Sequence, residues 1–181
     1  MLEGKNVNLR IMEKEDLPLF AEWINKLEFI GEYNPLLQKS KTEIEKDYEK
    51  GSLELTRFVI EKKDGSKIGS MVHFTHPVGN LLEIGGFMIP GESGKGYTTE
   101  AIQLMVDYLF LSKDIVRVQA ETHVENIASR RVLEKNGFKR EGLLRKAMLA
   151  WGKWADVYLY SILREEWKEP RILTKNNSKT V

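Results

Sequence analysis

The sequence predicts an α+β fold, of the mixed α/β kind, in a single domain. The first half of the chain alternates short β-branched runs with turn residues, as antiparallel hairpins do, and the second half reads strand–helix–strand–helix–strand. A chain of 181 residues can bury one sizeable core. No repeat or second domain is visible, so we expect one domain over residues 1–168 and a polar, flexible tail over residues 169–181.

In the first half, alternating apolar and polar residues mark the strands, and apolar residues at helical spacing mark the helices. Pro18 lies near the start of the first helix, where proline is tolerated. A Lys-Asp-Gly-Ser turn at 63–66 predicts a hairpin. In order, the predicted elements are a strand at 7–11, a helix at 14–25, an irregular stretch at 26–37, a helix at 41–50, and strands at 57–61, 68–75 and 81–89.

The second half begins with an amphipathic helix whose apolar residues share one face. Gly137 ends the next helix, because glycine readily adopts the left-handed conformation found just past helix C-termini. In order, the elements are a helix at 98–111, a strand at 115–122, a helix at 126–136, and extended runs at 138–151 and 154–164 around a Gly152-Lys153 turn.

The composition favours a cytoplasmic protein with no nucleic-acid, membrane or metal partner. The 28 basic and 27 acidic residues nearly cancel, so no net charge attracts nucleic acid or an anionic membrane. The absence of cysteine excludes disulfides, thiolate metal sites and a cysteine nucleophile, and it fits a reducing compartment. The N-terminus lacks a signal-peptide core, and no apolar run is long enough to span a bilayer. His73, His76 and His123 lack metal-ligand spacing.

The run at 83–101 carries most of the functional information. It leads from an apolar strand through a glycine-rich turn into an amphipathic helix, an order that directs free backbone N–H groups and the positive end of a helix at one point. Such a point binds a phosphate or pyrophosphate. The apolar phase of the strand slips by one residue at Gly85-Gly86, which predicts a β-bulge with unpaired N–H groups; a strand buried on both faces is the alternative.

Two familiar phosphate motifs do not fit this run. A Walker A loop needs Gly, four residues, then Gly-Lys-Ser/Thr, but here Ile89 stands at the first glycine position and Gly96 at the Ser/Thr position. A dinucleotide fingerprint needs Gly-x-Gly-x-x-Gly, whereas the order here is reversed. A plain glycine turn before a capped helix, with Thr98 or Thr99 as the cap, is the remaining structural alternative.

The segment Ser93-Gly94-Lys95-Gly96-Tyr97-Thr98 resembles the pyrophosphate motif of the GNAT superfamily of acetyl-CoA-dependent N-acetyltransferases. The family motif reads Gln/Arg-x-x-Gly-x-Gly/Ala at a strand-to-helix turn. Ser93 and Thr98 depart from it, but the family binds pyrophosphate mainly through backbone amides. The resemblance implies a GNAT fold, with a central, mostly antiparallel sheet of about seven strands flanked by helices and a bulged fourth strand.

A second set of motifs, in the right order and spacing, extends the resemblance over residues 1–167. Those at 126–129, 131–138 and 141–145 are similar to the second cofactor motif of the family. The runs at 152–156 and 158–161 resemble the ending of the Rim-type branch, RimJ/RimL-like, which acetylates ribosomal-protein N-termini and related amines.

The resemblance implies acetyl-CoA as cofactor and assigns residues to hold it. Asn126 would hydrogen-bond the pantetheine arm, although an ordinary helix N-cap is an equally available role. The strand end at Phe87, Met88 and Ile89 would complete the site, with the N–H of Phe87 or Met88 facing the thioester oxygen. The backbone groups expected around the pyrophosphate are those of Ser93, Gly94, Lys95, Gly96, Tyr97, Thr98 and Thr99.

Two residues are catalytic candidates. Glu83 would accept the proton of the amine, directly or through water, and the alternative is a solvated residue on the outer face of the strand. Many family members use a tyrosine seven residues after the motif asparagine to protonate the thiolate, but this chain has Leu133 there. Ser129 would take that role, as in the Rim-type branch; the alternative is a small polar residue in the first helical turns.

We therefore expect an N-acetyltransferase that moves an acetyl group to a primary amine by direct attack. The acceptor could be a protein N-terminus, a polyamine, an amino sugar or an antibiotic, and the protein could be a monomer or a homodimer. A non-catalytic acyl-CoA-binding module is the main alternative, because of Leu133 and the motif departures. A nucleotide-binding protein is the third hypothesis, after the enzyme and the non-catalytic module.

Overall fold

The computed structural model describes residues 1–50, 55–75 and 81–172, and within them it contains one sheet of eight strands with five α-helices. None of these helices has the length and apolarity needed to cross a membrane. The strands are β1 (Leu2–Glu3), β2 (Val7–Ile11), β3 (Leu55–Lys62), β4 (Lys67–Thr75), β5 (Leu82–Met88), β6 (Arg117–His123), β7 (Lys139–Ala150) and β8 (Lys153–Leu163). The helices are α1 (Leu17–Asn25), α2 (Leu27–Ile30), α3 (Lys41–Lys50), α4 (Tyr97–Ser112) and α5 (Ile127–Lys135), and short 3₁₀ turns cover Lys14–Asp16 and Arg164–Glu166.

The sheet is open and almost entirely antiparallel, in the order β1-β2-β3-β4-β5-β6-β8-β7. The one parallel contact joins β5 to β6 and is two residues long, Leu82↔Val118 and Glu83↔Gln119. The prediction of a mostly antiparallel sheet flanked by helices is confirmed, with the two-residue β1 raising the strand count to eight.

Each face of the sheet buries its own core. One face packs on α4 and α5, where Leu104, Met105 and Leu109 are fully buried. The other face packs on α1 and α3, with Trp23 and Ile44 among its buried residues. Because side chains alternate along a strand, β5 contributes Leu82 and Ile84 to the first core and Phe87 to the second.

The bulge predicted at Gly85-Gly86 is wrong for the ladder between β4 and β5. Their register is continuous from Thr75↔Leu82 to Gly69↔Met88. Gly86 is required for another reason: a Cβ there would lie 2.6 Å from the carbonyl oxygen of Ser70, so the two backbones approach too closely for a side chain.

An opening forms instead on the other edge of β5. The ladder to β6 ends at Glu83↔Gln119, while β6 stays paired with β8 over its whole length. Residues 84–88 of β5 therefore have no strand partner on that edge among the residues that the structure describes. We call the space between this edge and the C-terminal half of β6 the strand gap.

Helix α2 and strand β1 were not predicted. Helix α2 lies inside the stretch read as irregular and ends at Gly31, with φ 70°. A helix of four residues is too short to show a 3.6-residue period. Strand β1 pairs with β2 through Leu2↔Leu9, and two residues cannot show alternation.

The start of the predicted tail is anchored to α4. The buried carboxylate of Asp107 accepts hydrogen bonds from the backbone N–H of Arg171 at 2.5 Å, from that of Ile172 at 3.2 Å, and from Trp167 Nε1 at 2.8 Å. These bonds tie the chain end to α4. The rest of the tail, 173–181, lies outside the described residues.

A buried ionic cluster fixes the entry to α1. The carboxylate of Asp16, 3% exposed, accepts two hydrogen bonds of 2.9 Å from the guanidinium of Arg10 and one of 2.6 Å from Lys67. The backbone N–H of Glu13 adds a fourth. Burial alone would raise the pKa of Asp16, but these hydrogen bonds outweigh it and hold that pKa well below its usual range.

We expect Asp16→Asn to lower the free energy of unfolding at pH 7 by about 3 kcal/mol, because it removes the buried charge that holds Arg10 and Lys67, although Arg10 keeps its bond to Glu61. A depressed pKa stabilises the fold above the unfolded-state value of about 4 and loses this effect as pH falls below it. The difference between wild type and variant should therefore shrink in urea unfolding at pH 3. Glu49→Gln, which breaks the exposed pair with Lys14, should change stability little at either pH; equal losses in the two variants would contradict the assignment.

Candidate active site

The glycine-rich loop ends in a helix N-terminus without a side-chain cap. Gly91, Gly94 and Gly96 all have positive φ, of 83°, 79° and 86°, and Gly96 is the N-cap of α4. Neither Thr98 nor Thr99 serves as the cap, because α4 already begins at Tyr97. The first helical bond runs from Glu100 N–H to the Gly96 carbonyl at 3.1 Å. The N–H groups of the three residues before Glu100 therefore have no partner within the helix.

Charges in this loop are partly neutralised by one another. The carboxylate of Glu92 pairs with Lys95 at 2.9 Å and with Lys62 at 3.5 Å, and the hydrogen bond from Lys95 lowers the pKa of Glu92. A backbone bond of 3.3 Å from Glu92 N–H to the Ile89 carbonyl closes the turn. The attraction of this loop for an anion thus comes mainly from backbone N–H groups and the helix end.

The end of β5 directs one N–H group into the strand gap. Ile89 N–H donates to the Ile68 carbonyl at 2.9 Å, so Ile89 faces β4. Successive residues of a strand point their N–H groups to opposite edges, so Met88 faces the gap and Phe87 faces β4. Of the two backbone N–H groups predicted to donate to a thioester oxygen, only that of Met88 therefore faces the gap. The Phe87 side chain lies on the α1 face, with its ring 5.9 Å from that of Trp23.

Glu83 lies at the mouth of the gap rather than on a solvated face. Its carboxylate is half-buried and accepts a hydrogen bond of 3.0 Å from Gln119 Nε2. Alternation places it on the same face as Phe87. Met88 lies five residue steps further along the strand, about 16 Å when extended, so any proton that Glu83 receives from an amine near Met88 must travel through water.

Asn126 and Ser129 meet at the start of α5. Asn126 is the N-cap, and its Oδ1 accepts the backbone N–H of Ser129 at 3.0 Å, so the capping role is occupied while the amide N–H₂ stays available. The Ser129 side chain is half-buried in the first turn. Leu133 is 3% exposed in the core, so the position that holds a tyrosine in many family members contributes only packing here.

The sequence reasoning missed His123, which it weighed only as a metal ligand. The parallel register Glu83↔Gln119 places His123 level with Phe87 across the strand gap, on the face of Gln119. Its Nδ1 accepts the backbone N–H of Glu125 at 3.1 Å, and its ring lies 5.0 Å from that of Tyr33. The position of His123 beside β5 is not visible in the local sequence, because it depends on which strand pairs with β5. In the described part of the chain, no group of three or more acidic or histidine side chains is arranged to hold a metal ion.

A cavity of about 690 Å³ opens between the sheet and helices α1, α2 and α3. We call it the α1–α3 cavity. Its walls are mainly apolar, including Phe20, Trp23 and Phe29, and Phe87 connects it to β5. Two tryptophans of the β7–β8 hairpin lie outside this cavity lining. Trp151 donates from Nε1 to the Gly31 carbonyl at 3.1 Å, which fastens the hairpin to the α2 region, and Trp154 is 59% exposed.

Comparison with known proteins identifies the family. Residues 6–139 match the model described as "Acetyltransferase (GNAT) domain". The chain belongs to this family, so it is an acetyltransferase enzyme, and acetyl-CoA is the cofactor of the family. The predicted family, fold and cofactor are confirmed, and the alternatives of a nucleotide-binding protein or a non-catalytic module give way to an enzyme.

Several proteins are similar over much of the chain. The "Probable N-acetyltransferase YjcK" of Bacillus subtilis (strain 168) is 32% identical over 92% of this chain and 98% of its own length. The "Uncharacterized N-acetyltransferase YnaD" of the same organism is 37% identical over 60% of this chain and 64% of its own length, so that match spans slightly less than two thirds of the relative. A crystal structure of spermidine N-acetyltransferase from Vibrio cholerae, in complex with CoA and spermine, matches with a TM-score of 0.80 at 25% identity, over 89% of this chain and 97% of that chain.

If the loop before α4 binds the cofactor, Gly96→Ala should weaken acetyl-CoA binding about tenfold. A Cβ at positive φ costs about 1–2 kcal/mol, and relieving that strain turns N–H groups away from the ligand. Gly65→Ala is the matched control, since Gly65 has φ 84° in the β3–β4 turn and, like Gly96, has no atom within 4 Å of an added Cβ. Isothermal titration should show normal affinity for this control; equal affinities in both variants would remove the loop from the cofactor site.

Proposed function

We propose that the enzyme transfers the acetyl group of acetyl-CoA to a primary amine by direct attack, with the thioester in the strand gap. The observation that carries the proposal is the N–H of Met88, which faces the gap at the end of β5, eight residues before Gly96 at the uncapped N-terminus of α4. The amine nitrogen bonds to the acetyl carbon, the carbon–sulfur bond breaks, and the sulfur leaves as a thiolate. The amine loses one proton, and the thiolate gains one.

Backbone groups would hold the cofactor and stabilise the oxyanion. The N–H groups at 93–99 would bind the pyrophosphate, as anions bind at helix N-termini. The Asn126 amide would bond to the pantetheine arm while its Oδ1 caps α5. The Met88 N–H would donate to the oxygen of the tetrahedral intermediate, where loss of one such donor typically costs about 3 kcal/mol.

Proton transfer would involve Glu83 and Ser129. An alkyl ammonium has a pKa of about 10 and an N-terminal α-amine about 8, so a base matters more for the first kind of acceptor. Glu83, oriented by Gln119, would receive this proton through water. The thiol has a pKa of about 8.5, by analogy with cysteine, so protonation of the leaving group helps only modestly. The hydroxyl of Ser129 would supply that proton, since Leu133 has none.

The comparisons and the sequence suggest two different classes of acceptor amine. The Vibrio cholerae structure was solved with spermine, and the Rim-type ending of the sequence predicts a protein N-terminus. A panel of amines with acetyl-CoA, followed by release of free thiol and by the mass of the product, tests the proposed reaction. Binding of acetyl-CoA without thiol release for any amine would contradict it.

Glu83→Gln should lower turnover of an alkyl amine at neutral pH by about a hundredfold, because general bases contribute on this scale. Acetyl-CoA affinity should stay unchanged, and the loss should shrink at high pH, where the free amine needs no base. Steady-state rates from pH 6 to pH 10 measure this, with the exposed Glu15→Gln as control. Full turnover by Glu83→Gln across this range would remove Glu83 from the mechanism.

Asn126→Ser separates the two roles of that residue. Serine caps helices about as well as asparagine, so thermal stability should be retained, but the amide donor is lost. We expect acetyl-CoA affinity to fall about tenfold, the effect of losing one good hydrogen bond. Unchanged affinity in titration calorimetry would leave Asn126 with the capping role alone.

A further inference from the structure

One charged side chain in the α1–α3 cavity has no counter-charge among the described residues. Arg57, on β3, is half-buried and lines the cavity, with its Cζ 4.5 Å from the ring centre of Phe20. Among the described residues it forms no salt bridge, and burial lowers the pKa of its guanidinium. A cation in an apolar site without a partner is costly, so its presence calls for a reason.

Several other charges in the described part of the chain are matched. Within the cavity, Lys39 pairs with Asp47 at 2.5 Å, so those two charges cancel. Elsewhere Arg10 is held by Asp16 and Glu61, and Arg117 is bonded to Glu141. Of the charged residues that line the α1–α3 cavity in the described part of the chain, Arg57 is the one whose charge is left for a ligand.

The position of Arg57 connects it to the reacting strand. Arg57, Val72 and Gly85 lie side by side across β3, β4 and β5, which puts Arg57 about 10 Å from β5 at two strand spacings. Gly85 leaves the sheet surface bare there, because an added Cβ would meet only the Val72 side chain, at 3.7 Å. The Phe20 ring, on α1, lies between Arg57 and Phe87, with its centre 6.5 Å from that of Phe87.

We propose that Arg57 binds a carboxylate on the acceptor, so that the substrate is a small amino-carboxylate with an apolar chain between the two groups. This inference rests on the proposed function. A guanidinium holds a carboxylate through two parallel hydrogen bonds, strongest where water is excluded. The carboxylate would lie over β3 and the amine over β5 toward Met88. The backbones of Arg57 and Met88 are about 14 Å apart, two strand spacings across the sheet and three residues along β5, and the long Arg57 side chain shortens the span left for the acceptor. A polyamine is disfavoured, since the cavity would set its ammonium groups beside an unpaired cation.

The test compares matched acceptors with the intact enzyme and acetyl-CoA. γ-Aminobutyrate, ε-aminocaproate and glycyl-leucine are each paired with the corresponding amide, and spermidine is the cationic acceptor. We expect kcat/KM to be at least about tenfold higher for a carboxylate than for its amide, with the difference mainly in KM, the effect of one charge-assisted pair. Spermidine should be the poorest acceptor.

Variants locate the source of this preference. Arg57→Gln should bring the carboxylate-to-amide ratio close to one, and Arg57→Lys should restore part of it. Lys14→Gln removes a charge outside the cavity and should keep the wild-type ratio. The melting-temperature rise with acetyl-CoA shows whether each variant is folded.

Each outcome decides one of the two proposals. If wild type acetylates amides or spermidine as well as carboxylates, or if Arg57→Gln keeps the preference, the inference about Arg57 is wrong while the proposed reaction stands. If acetyl-CoA binds but no amine of either series releases thiol, the proposed function fails and the inference fails with it.

Discussion

The site depends on the parting of β5 and β6 after their two-residue contact at Leu82↔Val118 and Glu83↔Gln119. β5 stays paired with β4 as far as Met88, and β6 stays paired with β8 as far as His123, so each strand follows its own neighbour and the two diverge. In a closed sheet the outward N–H groups of residues 84–88 would bond to another strand. Here the Met88 N–H faces open space, which is what a ligand with a carbonyl oxygen requires.

The anchoring of helix α4 fixes the position of the glycine-rich loop before it. Its apolar face is buried in the larger core, and its C-terminal half is tied to the chain end through Asp107, whose carboxylate accepts three hydrogen bonds. Arg164 adds bonds to the carbonyls of Phe110 and Ile115. With the helix fixed at both its face and its end, the orphan N–H groups at its N-terminus point at a constant position. If this loop holds the cofactor as we propose, binding depends on backbone position more than on any side chain, and Ser93 and Thr98 can differ from the family motif without loss.

The local parts of this arrangement were predictable, and the non-local parts were not. The glycine turn, helix α4 and the Asn126 cap follow from short-range patterns, because φ preferences and helical spacing act over a few residues. The phase slip at Gly85-Gly86 predicts a bulge, but the register to β4 is continuous and the alternative holds, because β5 packs Leu82 and Ile84 into one core and Phe87 into the other. No local pattern contains the pairing of β6 with β8, so neither the gap nor the position of His123 could be read from the sequence.

The edge of β5 toward β6 and the face of β5 over α1 and α3 present different kinds of chemical group. The edge toward β6 and the loop before α4 offer backbone N–H groups, which are the same for any sequence and suit a constant cofactor. The face over α1 and α3 offers side chains, with Phe87, Val72 and Arg57 around one cavity. Side chains there change by substitution without altering the backbone of the gap. In our proposal Arg57, which has no counter-charge among the described residues, selects the acceptor from this face.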